Sequence, residues 1–157
     1  MKQIVSTQAD DTQELGRKLG EYISTLSHGC SMALTGDLGT GKTCFVQGLA
    51  QGLKVEDGYY ITSPTFNIMN EYPAKGKRLC HLDLYRLSDV EELDYLGIED
   101  RLGQDAVVAV EWPALLAETG FEFDLEIDFK FNEKFHRVIS FLPSGQHGSN
   151  LLSNLIL

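Results

Sequence analysis

Residues 36–43 read Gly36-Asp37-Leu38-Gly39-Thr40-Gly41-Lys42-Thr43 and satisfy Gly-x-x-x-x-Gly-Lys-Ser/Thr at every fixed position. At average residue frequencies a chain of this length meets that pattern by chance about once in two hundred. Each fixed position has a chemical task. Glycines let the backbone curl until successive N–H groups point at phosphate oxygens, and a helix starting there aims the positive end of its dipole at the same anion. Lys42 can then bridge the β- and γ-phosphates, and the Thr43 hydroxyl can ligate Mg²⁺.

Such a loop needs a carboxylate at the end of a neighbouring strand for the metal, and often a second to orient the attacking water. Asp83, after Leu79-Cys80-His81-Leu82, and Glu111, after Val107-Val108-Ala109-Val110, are the two candidates, and either could touch the metal. For Asp83 the plainer alternative is a salt bridge with Arg86. Ser63-Pro64-Thr65 falls where nucleotide-dependent proteins carry a switch that senses the γ-phosphate, the alternative being an ordinary proline turn. His81 alternates onto the face of Asp83 and reads as a packed or hydrogen-bonded strand histidine. Cys44 sits where a helix dipole could activate a thiol, but reads as a small packing residue. The guanine-reading Asn-Lys-x-Asp is missing, and Asp94 to Gly97 lies in a helix-like stretch, so adenine is the expected base.

These groups need elements to hold them. Ser31-Met32-Ala33-Leu34-Thr35 reads as a buried strand running straight into the loop, and Phe45, Val46, Leu49 and Leu53 recur at helical spacing after it. Upstream, Leu15, Leu19, Tyr22, Ile23 and Leu26 predict an amphipathic helix over Asp11 to Leu26, opened by a capping box of Asp11 and Glu14. Downstream, Thr65 to Tyr72 and Arg78 to Tyr85 read as strands joined by a turn over Pro73-Ala74-Lys75-Gly76-Lys77. Ser88 with Glu91 marks another helix start, and Val107 to Val110 reads as a strand covered on both faces. Phe121 to Phe131 alternates throughout as a half-exposed strand and returns through His136 to Phe141 as an antiparallel hairpin. Asn150 to Leu157 is apolar enough to dock as a short helix.

The 157 residues suit one domain, spanning 1–157, and their 43% apolar content suffices for a core without disulfides. Cys30, Cys44 and Cys80 are odd in number and far apart, which argues against a disulfide framework or zinc ribbon and for a reducing compartment. No apolar run reaches the roughly eighteen residues of a membrane span, and no signal-peptide core follows Lys2. A cytoplasmic chain with no membrane contact is expected. Thirteen basic against twenty-three acidic residues give a net charge of −10, so the chain is not expected to wrap nucleic acid unaided.

Gly36 to Thr43, Ser63-Pro64-Thr65, His81-Leu82-Asp83-Leu84-Tyr85-Arg86-Leu87, Glu91-Glu92-Leu93 with Leu96-Gly97-Ile98, and Val110-Glu111-Trp112-Pro113 occur in one order. That set resembles the small bacterial P-loop ATPases of the TsaE (YjeE) family over roughly residues 10 to 140. The tail after about residue 143 matches none of its motifs. The resemblance implies an α/β fold, a P-loop NTPase-like three-layer sandwich whose mixed sheet has parallel core strands and an antiparallel C-terminal hairpin. It implies ATP and Mg²⁺ as cofactors, with nucleotide contacts from Thr12, Asp37, Leu38, Gly39, Thr40, Gly41, Lys42, Thr43, Cys44, Lys134 and Arg137. Thr43 and Glu111 would hold the metal, with Asp83, Glu111 and Lys42 catalytic and Ser63, Pro64 and Thr65 the switch. It further implies an ATPase that assists threonylcarbamoyladenosine modification of tRNAs reading codons that start with A. TsaB and TsaD would be its partners, tRNA would be met only indirectly, and hydrolysis by the chain alone would be slow. A small-molecule kinase and a non-hydrolysing nucleotide sensor are the rival readings of the same loop.

Overall fold

The computed structural model describes residues 1–98 and 102–155. Its seven strands, β1 (Lys2–Ser6), β2 (Cys30–Thr35), β3 (Met69–Ala74), β4 (Lys77–Asp83), β5 (Ala106–Glu111), β6 (Leu125–Phe131) and β7 (Arg137–Pro143), form one sheet in the order β1-β7-β6-β2-β5-β4-β3. The inner strands β6, β2, β5 and β4 run parallel, while β3, β7 and β1 pair antiparallel at the flanks. Helices α1 (Ala9–Ser24), α2 (Lys42–Gly52), α3 (Val90–Leu96), α4 (Ala114–Glu118) and α5 (Gly145–Asn154) connect or follow them.

Strand alternation sorts the core into two layers. Met32, Leu34, Val107 and Ala109 pack with Leu15 and Leu19 of α1, Phe45 and Leu49 of α2 and Leu151 of α5. Val108 and Val110 turn the other way, onto Leu93 of α3 and Leu116 of α4. Helices on both faces of a mixed sheet with a parallel centre make the expected three-layer α/β arrangement. They also explain why β5 reads as an unbroken apolar run up to Glu111. Among the described residues no helix is long and apolar enough to cross a membrane.

Beside the phosphate loop, α1 and α2 cross at backbone contact. A Cβ placed on Gly48 would lie 1.8 Å from the Gln13 carbonyl oxygen, and one on Gly16 would lie 2.1 Å from that of Phe45. Gly20 and Gly52 are equally closed, at 2.4 Å from the Leu49 oxygen and 2.1 Å from the Arg17 oxygen. Glycines four apart on each helix therefore set the spacing that brings the start of α1 against the loop.

Several local expectations shift. The first helix starts at Ala9 and ends at Ser24, and its capping box joins Gln8 to Asp11, while Glu14 instead pairs with Arg17. The next capping box falls one residue later than expected, with Asp89 accepting from the Glu91 N–H and Glu92 accepting from the Asp89 N–H. β3 starts at Met69 because residues 65–68 turn, and it runs through Pro73 and Ala74, positions expected in the turn. The sixth strand starts at Leu125, since Phe121 and Phe123 precede it and pack on the α3/α4 side. The C-terminal helix begins earlier, at Gly145, and the last two residues of its expected range lie outside the described residues. β1, a strand that its sequence pattern does not predict, pairs with β7.

Candidate functional site

The loop joins the C-terminal end of β2 to the N-terminus of α2, as its motif demands. Gly36 (φ 129°) and Gly41 (φ 108°) occupy the left-handed region that glycine tolerates. A Cβ on Gly36 would lie 2.3 Å from the Phe129 oxygen of β6, and one on Gly41 would lie 3.0 Å from Arg137 Nε of β7. The hairpin thus clasps the loop from outside, with Arg137 Nε donating to the Thr40 carbonyl at 3.0 Å.

Lys42 is the first residue of α2 and is 4% exposed. Its Nζ donates to the carbonyls of Gly36 (2.5 Å) and Asp37 (2.9 Å) and lies 5.0 Å from the centre of the Trp112 ring. Burial pushes its ammonium below the usual lysine range, against the pull of Glu111, Asp83 and Asp37.

The register of β4 on β5 sets Asp83 opposite Glu111. Glu111 Oε1 accepts from the Thr43 hydroxyl at 3.0 Å and faces His81 Nε2 at 2.9 Å. Asp83 Oδ2 accepts from Ser63 (2.6 Å) and Thr65 (3.3 Å), and its Oδ1 accepts from the Tyr85 N–H (3.0 Å). The alternative of an Asp83–Arg86 bridge is not found: Arg86 lies over the Phe66 ring at 4.9 Å.

A cleft of about 350 Å³ joins these groups, lined by Leu38, Gly39, Gly41, Lys42, Thr43, Cys44, Ser63, Thr65, Asp83, Glu111 and Arg137. Two other cavities, of about 360 and 400 Å³, are as large, but among the described residues neither is lined by a cation. Of the residues singled out in the sequence, Thr12 sits behind the loop with its hydroxyl 2.7 Å from that of Ser6. Thr40 is buried beneath the loop, with its hydroxyl on the Asp37 oxygen. Asp37 lines the neighbouring apolar cavity, Pro64 is buried, and Lys134 is exposed at the hairpin turn. The Cys44 Sγ points to the Ala9 oxygen at 3.3 Å, and burial pushes its thiol up, which favours a packing role over a reactive one.

Mg²⁺ takes oxygen ligands and is usually held by one or two carboxylates together with substrate phosphates. Thr43, Glu111 and Asp83 line one cleft and fit that pattern. Among the described residues no group of three or more His, Cys, Asp or Glu could hold a metal by itself. A metal bound here would complete its shell with oxygens from a bound ligand or water.

A family profile described as "Threonylcarbamoyl adenosine biosynthesis protein TsaE" matches residues 6–139. The tRNA threonylcarbamoyladenosine biosynthesis protein TsaE of Haemophilus influenzae is 34% identical over 88% of this chain and 87% of its own. That of Treponema pallidum is 35% identical over 80% of this chain and 89% of its own. A crystal structure of Bacillus subtilis YdiB superposes with a TM-score of 0.76 at 27% identity, covering 98% of this chain and 93% of that one. Profile, relatives and fold agree, and the chain belongs to the TsaE family of tRNA threonylcarbamoyladenosine biosynthesis proteins.

Proposed function

We propose that the chain binds ATP with Mg²⁺, hydrolyses it slowly alone, and spends that cycle on TsaB and TsaD partners during tRNA modification. The observation that carries the reading is the convergence of a buried lysine, a hydroxyl and two strand-end carboxylates on one cleft at the start of α2. The backbone N–H groups at the helix start bind phosphate oxygens. Lys42 exchanges the carbonyls of Gly36 and Asp37 for the phosphates, gaining anionic partners in place of dipoles. Glu111 and Thr43 would hold the metal, which when bound neutralises charge on the transferring phosphoryl group. Asp83 accepts a hydrogen bond from the attacking water and sets its line of approach.

Charge stabilisation by arginine is sparse. Among the described residues Arg137 is the one guanidinium lining the cleft, and its Nε is engaged with the Thr40 carbonyl. A missing arginine finger costs about 10³ to 10⁵ in rate, which is why partner stimulation belongs to the reading. Calorimetric titration with ATP and Mg²⁺ tests its first half: wild type binds, and Lys42→Ala shows no saturable heat while melting cooperatively. Phosphate release measured with and without TsaB and TsaD tests the second, with acceleration by the partners expected. Fast hydrolysis by the isolated chain, unchanged by the partners, would refute it.

A further inference from the structure

His81 takes no part in the mechanism above, yet it touches the carboxylate on which that mechanism turns. It is 0% exposed. Its Nε2 lies 2.9 Å from Glu111 Oε1, while its Nδ1 is buried with no hydrogen-bond partner. A carboxylate at Nε2 and nothing at Nδ1 select one form of the ring: Nε2–H donates, and Nδ1 keeps only a lone pair.

The sheet builds this contact. His81 stands opposite Ala109 in the parallel register, and Glu111 follows two residues later on the same face. Ala109 presents only a methyl group, which leaves the imidazole free to lean toward Glu111. The two donors on Oε1 then differ in kind. The Thr43 hydroxyl lines the cleft, where on the proposed function it turns its oxygen to a metal, whereas His81 lines no part of the cleft and reaches Glu111 from behind it.

We propose that His81 is the positioning residue of the site: its Nε2–H holds Glu111 Oε1, so the carboxylate meets the metal in one rotamer when Thr43 turns to the ion. Outer-sphere partners of this kind typically change metal affinity or activity by about 10- to 100-fold when removed. The inference rests on reading Glu111 as the metal carboxylate.

The test is calorimetric titration of the full chain with ATP across a series of Mg²⁺ concentrations and in EDTA. His81→Met keeps bulk and loses the donor. It should raise the Mg²⁺ concentration for half-maximal binding by about 10-fold or more, with affinity in EDTA held within about twofold. His81→Gln, whose amide N–H reaches Oε1, should bring the Mg²⁺ requirement back to within about threefold of wild type. If His81→Met does not fold, His81→Asn replaces it, with an amide too short to reach Oε1 and the same expectation. In the metal-free wild type, imidazole nitrogen-15 shifts should show the Nε2–H tautomer.

An unchanged Mg²⁺ requirement in a folded Met or Asn variant overturns the proposal. So does an equal loss of affinity with and without Mg²⁺, a Gln variant as impaired as the Met variant, or an Nδ1–H tautomer. A wild-type chain that binds no nucleotide at all overturns the ATP reading instead.

Discussion

Glu111 ends β5 among partners drawn from regular elements, Thr43 of α2 and His81 of β4, whereas Asp83 ends β4 among partners drawn from irregular chain. Ser63 and Thr65 come from the stretch that precedes β3, and the Tyr85 N–H from the turn that follows β4. A side chain braced by packed helix and strand keeps its rotamer, while one braced by a loop follows the loop. The two carboxylates stand in register, yet one is preset and the other adjustable by whatever rearranges residues 61–68. On the roles proposed for them, metal binding and water orientation would fall to different mechanical settings within one cleft.

The sharpest way to break this contrast is to neutralise each carboxylate in turn. Glu111→Gln should weaken Mg²⁺-dependent ATP binding by on the order of 10² or more, since metal–ligand stabilisation is worth several kcal/mol. Asp83→Asn should leave that affinity nearly intact and slow hydrolysis by on the order of 10² to 10⁴. If the two variants show the same pattern in titration and phosphate release, the division of labour is wrong. A smaller effect follows from loosening only the brace. Ser63→Ala combined with Thr65→Val removes two donors from Asp83 and should slow hydrolysis by about tenfold at unchanged Mg²⁺ requirement, as hydrogen bonds to charged groups contribute about 1.5–3 kcal/mol.

The rigid side can be probed without touching the chemistry. Gly48→Ala forces a methyl against the Gln13 carbonyl and should cost roughly 1–3 kcal/mol, a fall in Tm of roughly 3–10 °C. A Tm equal to wild type would mean the α1/α2 seam yields more easily than its geometry implies. The smallest signal comes from Trp112. Lys42 Nζ rests 5.0 Å from its ring, so saturating ATP, which draws the ammonium away, should alter tryptophan fluorescence in wild type and not in Lys42→Ala.

The phosphate loop is legible in the sequence because its chemistry is carried by consecutive residues and the strand and helix beside it are strongly patterned. Asp83 and Glu111 are legible one at a time, as strand-end carboxylates. The His81–Glu111 bond is not, because it depends on how β4 and β5 align, and register between strands thirty residues apart leaves no local trace. β1 escapes for another reason: Lys2-Gln3-Ile4-Val5-Ser6 is a short edge strand with adjacent apolar residues and no clean alternation. The seam between α1 and α2 does leave a signal, glycines four apart on both helices, which the apolar periodicity of the same segments overshadows. Phe121 and Phe123 mislead in the opposite direction, starting an alternating pattern before the strand itself begins and serving the other core layer.

The glycine seam also bears on how this gene can drift. Any single-base change that replaces a glycine, other than by a stop, gives Ala, Val, Ser, Cys, Asp, Glu, Arg or Trp, and the smallest of these still adds a methyl. At Gly16, Gly20, Gly48 and Gly52 that methyl would fall within 2.4 Å of a carbonyl oxygen on the facing helix. These four codons thus have no neutral missense neighbour. The hydrophobic positions around them can exchange Leu, Ile and Met at modest cost, so the helix pair can change much of its composition while the hydrogen atoms at its crossing stay fixed.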